Sequence, residues 1–208
     1  MNMYEKTILK TSHIEENTTL LGPYNRFVIW VHGCCFDCEG CLAENTKAGS
    51  FECLDVESLA ARIAESNCEG ITVSGGEPFL QAPALLELFQ KVKELRDIGI
   101  IVYSGFTLEE ILHDSNKSPL LSEIDILIDG RYEKMLDDGR AYVGSSNQII
   151  HYLSPRYVTV GKEYYSGKRR AEIKISSDQA ILIGVPSKGV LDIWQDIKRK
   201  SGGMRNDF

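Results

Sequence analysis

The sequence is short of long apolar segments and of basic charge, and each shortage argues against a class of protein. Its longest uninterrupted apolar run, Phe27–Val31, is far shorter than the roughly 20 residues of a membrane-spanning helix. Lys and Arg number 23 against 30 Asp and Glu, giving a formal net charge of −7. Because nucleic acids and anionic membranes attract basic surfaces, neither is an expected partner. The first residues lack the apolar segment of a secretory signal, so we expect a cytoplasmic protein.

Cysteine is absent after residue 68, and most of it is concentrated in one short segment. The chain has six cysteines, and the segment Cys34–Cys41 holds all of them except Cys53 and Cys68. A disulfide framework spreads its cysteines along the chain and needs an oxidising compartment. The clustered thiols therefore indicate metal ligation or redox chemistry.

What is present is the pattern of an α/β protein. The 208 residues are 43% hydrophobic and 25% charged, an ordinary globular composition for one main domain. Between Arg26 and Ile128, continuous apolar segments alternate with helical periodicities, which predicts a parallel sheet covered by helices. Functional groups in such sheets gather at the carboxyl ends of the strands. Four predicted strand ends carry the unusual residues, namely Cys34–Cys41, Ser74–Pro78, Tyr103–Gly105 and Asp129–Arg131.

The pattern changes at both ends of the chain. We expect residues 1–20 to form an N-terminal arm or an edge strand, residues 21–154 to form the core, and residues 155–208 to form a C-terminal extension packed on it. In the extension, three short strands and a final helix are predicted, at Tyr157–Val160, Ala171–Ile175, Ala180–Ile183 and Val190–Lys198. The sequence leaves open whether the extension completes the sheet or binds a partner.

Three clustered cysteines have the spacing C-x3-C-x2-C, and they are Cys34, Cys38 and Cys41. A loop this tight can wrap three thiolates around one compact inorganic centre. A [4Fe–4S] cluster normally has four cysteine ligands, so three would leave one iron open. The alternative is a zinc site completed by Cys53, Cys68 or His32. Zinc sites usually combine two separated ligand pairs, and the sequence has no second pair, so the spacing favours an iron–sulfur cluster.

The cysteine motif and the later Gly75–Pro78 motif together resemble the radical S-adenosylmethionine superfamily. Within it, the sequence is most similar to activating proteins of anaerobic ribonucleoside-triphosphate reductases, over roughly residues 20 to 150. The segments that carry this similarity are Gly22–Pro23, Arg26–Val31, Gly33–Cys34, Gly40, Tyr103–Phe106, Asp125–Arg131 and Gly144–Gln148. The sequence departs from that branch at Leu42–Asn45, where an aromatic residue followed by Asn is common, and it is longer than the compact members.

The resemblance implies an incomplete parallel (β/α)6-type radical SAM barrel, followed by a β-rich C-terminal extension and a final helix. It implies that Cys34, Cys38 and Cys41 bind a [4Fe–4S] cluster whose open iron binds S-adenosylmethionine. Reductive cleavage of that cofactor would give a 5′-deoxyadenosyl radical, which would activate a large anaerobic reductase by forming a glycyl radical. The implied electron donor is a reduced flavodoxin- or ferredoxin-type protein.

The resemblance also implies a set of residues that contact S-adenosylmethionine. Glycines allow a close approach to a ligand, and Pro78 favours an extended Glu77, so this segment can offer its carbonyls to the ligand's ammonium group. The full predicted set is Gly40, Leu42, Gly75, Gly76, Glu77, Ser104, Asp129, Arg131 and Asn147. The alternative for each is a structural role in a turn, a helix cap or a surface ion pair.

Two other functions stay open on the sequence. The same radical chemistry could modify a peptide or a small metabolite instead of a reductase. In a different class, the chain could be a zinc-stapled binding module without catalysis.

Overall fold

The computed structural model describes residues 6–140, 142–175, 179–200 and 205–206. The strands are β1 (Ile8–Thr18), β2 (Arg26–Val31), β3 (Glu52–Asp55), β4 (Gly70–Gly75), β5 (Gly99–Tyr103), β6 (Ile126–Asp129), β7 (Ile149–Tyr152), β8 (Ala171–Ile175), β9 (Gln179–Gly184) and β10 (Arg205–Asn206). The α-helices are α1 (Asn45–Ala48), α2 (Val56–Glu65), α3 (Ala82–Leu95), α4 (Leu108–Leu112), α5 (Val158–Tyr165) and α6 (Lys188–Lys200). Short 3-10 helices span Pro78–Gln81, Ser118–Glu123 and Lys134–Leu136. No helix among these residues combines the length and apolar character that crossing a membrane requires.

A seven-stranded mixed sheet forms the centre of the molecule, in the order β3-β1-β2-β4-β5-β6-β7. The neighbours β2, β4, β5 and β6 are parallel, whereas β1, β3 and β7 join antiparallel. The predicted α/β class with a parallel strand core is therefore confirmed. Among the described residues, β3 and β7 are the two ends of this sheet, and closure into a (β/α)6-type barrel stays a prediction.

Capping residues in the sequence mark where α2 and α4 begin. Asp55 caps α2 by accepting a hydrogen bond from the Ser58 amide at 3.3 Å. Thr107 and Glu110 form the predicted capping box of α4. The apolar residues of α2 and α3 pack on the side chains of β2 that share one face, such as Phe27 and Ile29. α2 and α3 therefore cover one face of the sheet, and each leads into one of its parallel strands.

The opposite face of the sheet is covered by the C-terminal part of the chain. Val28 and Trp30 of β2 pack against Ile183 and Val185, in and just after β9. Farther along the same face, β5 and β6 pack against side chains of α5 and the residue before it, including Tyr157 and Tyr165. β9, which covers β2, belongs to a second sheet of order β10-β9-β8. The second layer of the fold therefore comes from residues that lie far from the strands in sequence.

The structure corrects two expectations about the ends of the chain. Residues 8–18 do not form a detached arm, because β1 pairs with β2, and its first part, Ile8–Thr11, is not an edge strand, because it also pairs with β3. Tyr157–Val160 is not a strand but the beginning of α5. Its β-branched residues favour a strand locally, yet the Gly161 amide bonds to the Tyr157 carbonyl at 2.7 Å, and the Tyr157 hydroxyl donates to Glu69 at 2.6 Å. Tertiary contacts thus override the local preference.

Candidate iron–sulfur and cofactor site

A cavity opens where the parallel strands end, and all three motif cysteines line it. The cavity is lined by Cys34, Cys38 and Cys41, by Ser74–Glu77 at the end of β4, and by Tyr103–Gly105 at the end of β5. Cys35 is exposed and is absent from the described lining. The structure thus brings the cysteine motif and the glycine motif to one place, as the sequence predicts from parallel strand ends.

The cysteine loop is a short turn whose thiols face a partly buried environment. The Cys41 amide donates to the Cys38 carbonyl at 3.2 Å, which closes the turn, and the Phe36 amide lies 3.5 Å from the Cys34 sulfur. Burial raises the pKa of the Cys34 and Cys41 thiols above their ordinary value, although Lys47 acts in the opposite direction at Cys41. A coordinated metal centre deprotonates such thiols, so a bound cluster would hold these cysteines as thiolates.

None of the candidate zinc ligands named from the sequence joins the three motif cysteines in the described lining of the cavity. Within residues 6–140, 142–175, 179–200 and 205–206, no group of three His, Cys, Asp or Glu side chains is already placed to hold a metal ion. In a cubane each thiolate binds a different iron, so the sulfurs stand farther apart. The proposed zinc ligands lie elsewhere: Cys68 is buried in the core, Cys53 is exposed, and His32 Nδ1 lies 3.1 Å from the Ser12 hydroxyl.

The glycine motif is packed directly against the start of the cysteine loop. The Gly76 amide donates to the Val31 carbonyl at 2.9 Å, and the Glu77 amide donates to the Gly33 carbonyl at 2.8 Å. A Cβ atom at Gly76 would lie 2.0 Å from the Gly33 oxygen, and one at Gly75, whose φ is +106°, would lie 2.6 Å from the Val31 nitrogen. Both glycines are therefore required by backbone packing, and any contact of theirs with a cofactor comes in addition to this role.

Glu77 is a buried acid that ties two strand ends together. Its side chain accepts hydrogen bonds from the amides of Phe79 and Gly105, at 2.9 and 2.7 Å, and from the Ser104 hydroxyl at 2.9 Å. Burial raises the pKa of this carboxyl to about 7, against the effect of its hydrogen-bond donors. The sequence predicts a backbone contact with the cofactor here, and the structure adds a side-chain role in holding the rim.

The remaining predicted cofactor residues divide into two groups. Leu42 and Ser104 line the cavity with the motifs. The other four, Gly40, Asp129, Arg131 and Asn147, are outside its described lining, and the last three border a neighbouring pocket.

The three residues of the neighbouring pocket have visible structural partners. Asp129 accepts a hydrogen bond from the Leu108 amide at the start of α4 and lies 3.0 Å from His151 Nε2. Arg131 lies over the Phe36 ring, 4.6 Å from its centroid. Asn147 donates to the Arg131 carbonyl at 2.7 Å. Their contact with S-adenosylmethionine stays a prediction.

Sequence reasoning missed the apolar part of the cavity. Its lining also includes Leu21, Trp30, Tyr142, Leu182, Gly184 and Val185. These residues look like ordinary core positions in the sequence, and their wide separation along the chain gives no motif. Two of them have a positive φ, Gly184 at +98° and Tyr142 at +59°, and nothing in the sequence indicates either.

Comparisons with known proteins identify the same region. A family described as "4Fe-4S single cluster domain" matches residues 20–151. The anaerobic ribonucleoside-triphosphate reductase-activating protein of Vibrio cholerae is 34% identical over 140 residues, which is 62% of this chain and 89% of that relative. The protein of the same name from Enterobacteria phage T4 is 31% identical over 136 residues, covering 62% of this chain and 85% of the relative.

Among solved structures, the crystal structure of QueE from Escherichia coli is similar with a TM-score of 0.42 and 17% identity. The similarity covers 48% of this chain and 54% of that one.

Proposed function

Because this chain belongs to the family of anaerobic ribonucleoside-triphosphate reductase-activating proteins, we propose that it activates a reductase of that kind. Its 4Fe-4S domain supports an iron–sulfur enzyme of the radical S-adenosylmethionine type. The activation is the formation of a glycyl radical on the reductase. The observation that carries the proposal is the meeting of Cys34, Cys38 and Cys41 with the Gly75–Glu77 segment in one cavity.

In this proposal, the three cysteines hold a [4Fe–4S] cluster and leave one iron without a protein ligand. When bound, the reduced cluster and S-adenosylmethionine supply a 5′-deoxyadenosyl radical by cleavage of the S–C5′ bond, and that radical takes the hydrogen atom from the glycine of the reductase. Leu42, Gly75, Gly76, Glu77 and Ser104 bind and orient the cofactor. Glu77 and Ser104 are buried and Gly75 and Gly76 are half-buried, which limits the access of water on their side of the cavity.

The partner is a large protein rather than a small metabolite. The loop that borders the cysteines carries an apolar side chain in full contact with solvent, since Met135 is 93% exposed and lies in one shallow pocket with Cys35 and Phe36. A single exposed apolar residue is ordinary on a protein surface, so the support for a protein partner is the relatives, which are named activating proteins of a reductase. Electrons would come from a reduced flavodoxin- or ferredoxin-type protein.

The test is reductive cleavage by the protein purified without oxygen. We expect about four iron and four sulfide per chain, and 5′-deoxyadenosine after the addition of dithionite and S-adenosylmethionine. Cys34→Ala, Cys38→Ala or Cys41→Ala should abolish the product. Cys35→Ala and Cys53→Ala are matched controls, because both thiols are exposed and neither is in the described lining.

The same preparation separates the competing functions. A colourless protein with one zinc and no 5′-deoxyadenosine would contradict the proposal and support a binding module. Turnover of a peptide or metabolite, with no glycyl radical on the co-expressed reductase, would contradict the choice of substrate while leaving the cluster chemistry intact.

A further inference from the structure

One wall of the reaction cavity comes from a part of the chain that lies outside the family match. Leu182, Gly184 and Val185, at the end of β9, are among its lining residues. The shared 4Fe-4S region covers residues 20–151. The C-terminal extension therefore contributes to the site itself and does more than cover the back of the sheet.

Val185 is the residue of this wall whose side chain packs with the rest of the apolar lining. It is 8% exposed and belongs to one cluster with Leu21 and Trp30, which are 6% and 5% exposed. All three line the cavity. Leu182, by contrast, packs toward Trp194 of α6, on the other side of β9. The continuous apolar surface in the cavity thus joins Leu21 and Trp30 of the core to Val185 of the extension.

The wall is held in place by contacts within the chain. The Tyr164 hydroxyl donates to the Thr19 carbonyl at 2.8 Å and accepts from the Gly22 amide at 3.1 Å. Lys174 of β8 forms a 2.9 Å ion pair with Glu15 of β1.

A second set of contacts joins the extension to the loop after β6. Arg169, whose side chain is only 7% exposed, donates to the Val143 carbonyl at 2.9 Å and pairs with Asp137 at 2.7 Å. Gly184 approaches the Arg170 carbonyl so closely that a Cβ would lie 2.5 Å from its oxygen. These contacts hold β8 and the residues before it against the core, and β8 pairs with β9 from Ala171–Gly184 to Ile175–Ala180, so the wall is positioned by bonds within this chain.

The cavity therefore offers two chemical environments to one ligand. Thiols and the Glu77 region are polar, whereas Leu21, Trp30 and Val185 form an apolar surface with one aromatic ring. In S-adenosylmethionine the amino acid part is charged and the adenine base is flat and largely apolar. Ligand sites pair apolar walls with the apolar part of the ligand, and an indole ring gives a large surface for a flat base.

We propose that Val185 of the C-terminal extension binds the nucleoside part of S-adenosylmethionine, so that this chain closes its cofactor cavity with its own extension. The proposal rests on the proposed function, since it takes S-adenosylmethionine as the cofactor. It assigns a binding role to a residue outside both sequence motifs and outside the shared region.

The experiment compares two ligands on the cluster-loaded protein without reductase. S-adenosylhomocysteine contains the nucleoside and is followed by equilibrium dialysis. Methionine lacks the nucleoside and is followed by its effect on the electron paramagnetic resonance spectrum of the reduced cluster. The variants are Val185→Phe, which adds bulk to the wall, and Val185→Ala, which removes methyl groups from it. Ile183→Val is the matched control, since Ile183 belongs to the same buried cluster but is outside the described lining.

We expect Val185→Phe to weaken S-adenosylhomocysteine binding about tenfold or more, and Val185→Ala to weaken it about fourfold. Methionine binding and the iron content should equal those of the unmodified protein, and Ile183→Val should bind both ligands normally. If Val185→Phe does not fold, Val185→Ala decides the question.

Two outcomes would overturn the proposal: S-adenosylhomocysteine affinity within twofold of the unmodified protein in the folded Val185 variants, or an equal loss of methionine binding. Failure of the unmodified holoprotein to bind either ligand would instead overturn the proposed function itself.

Discussion

The Ser104 hydroxyl donates a hydrogen bond to the Glu77 carboxyl across 2.9 Å, and this bond joins the ends of two parallel strands. Glu77 follows β4 and Ser104 follows β5. The Gly105 amide reinforces the link by donating to the second oxygen of the same carboxyl at 2.7 Å. The edge of the cavity is thus stiffened by a buried acid that the sequence alone assigns only to ligand binding.

Replacement of Glu77 by Ala should destabilise the protein. Ala removes the acceptor of three donors, the amides of Phe79 and Gly105 and the Ser104 hydroxyl, so buried donors lose their partner. We expect the free energy of unfolding to fall by about 1–3 kcal/mol, measured by urea unfolding at pH 8. The exposed Glu57→Ala, in the first turn of α2, is the control and should change it by less than about 0.5 kcal/mol. A loss at Glu77 as small as that of the control would refute the prediction.

The stability of the protein should depend on pH through the same carboxyl. Its pKa is about 7 in the folded chain, against an ordinary value of 4.5, so the folded state binds the proton more tightly. The stabilisation is complete below about pH 4.5 and is lost as the pH rises through about 7, by roughly 3 kcal/mol at most. Urea unfolding of cluster-free protein between pH 5 and pH 8 measures this slope. Glu77→Gln should lack it, and parallel curves for the two proteins would exclude Glu77 as its source.

A buried network far from the cavity should control stability without affecting the cluster. Arg26, which is fully buried, donates to the Tyr157 hydroxyl at 2.7 Å and to Glu69 at 3.0 Å. Tyr157→Phe removes this acceptor and should cost about 1–3 kcal/mol, which lowers the melting temperature by roughly 2–12 °C. Calorimetry measures the melting temperature, and iron analysis should show an unchanged iron content. Tyr24→Phe is the control, since Tyr24 is 55% exposed; an equal loss there would argue against the network.

Gly76→Ala should disrupt the cysteine loop by a purely steric effect. The new Cβ would lie 2.0 Å from the Gly33 carbonyl oxygen, directly before Cys34. Because the Gly33 atoms that the Cβ would meet belong to the backbone, the loop must shift. We expect loss of more than half of the bound iron and a lower melting temperature. Gly189→Ala is the matched control, since a Cβ there meets no atom within 4 Å. Normal iron content in Gly76→Ala would show that the loop adapts.

The sequence predicts those parts of the site whose signals are local. The spacing of the cysteines, the Gly75–Pro78 segment and the capping box at Thr107 are each contained within a few residues, and the parallel strand pattern brings the first two to one edge. The apolar lining has no such signal, because Trp30 and Val185 meet only through tertiary packing. The residues next to Val185 in the sequence predict only that it is a core residue.

Errors in the fold have a similar origin. The polar residues of β1 suggest an arm or an edge strand, whereas Ile8–Thr11 lies between β2 and β3. The short strands β3 and β7 carry too few residues for a clear alternation, so their antiparallel pairing depends on neighbours that the local sequence does not reveal.

The three thiols and Val185 line one cavity but lie far apart in the sequence, so truncation separates them. A chain that stops before β9 keeps Cys34, Cys38, Cys41 and the Gly75–Glu77 segment but lacks Val185 of the lining. The ligands of the centre and the apolar wall beside it are thus two separable parts of the same chain.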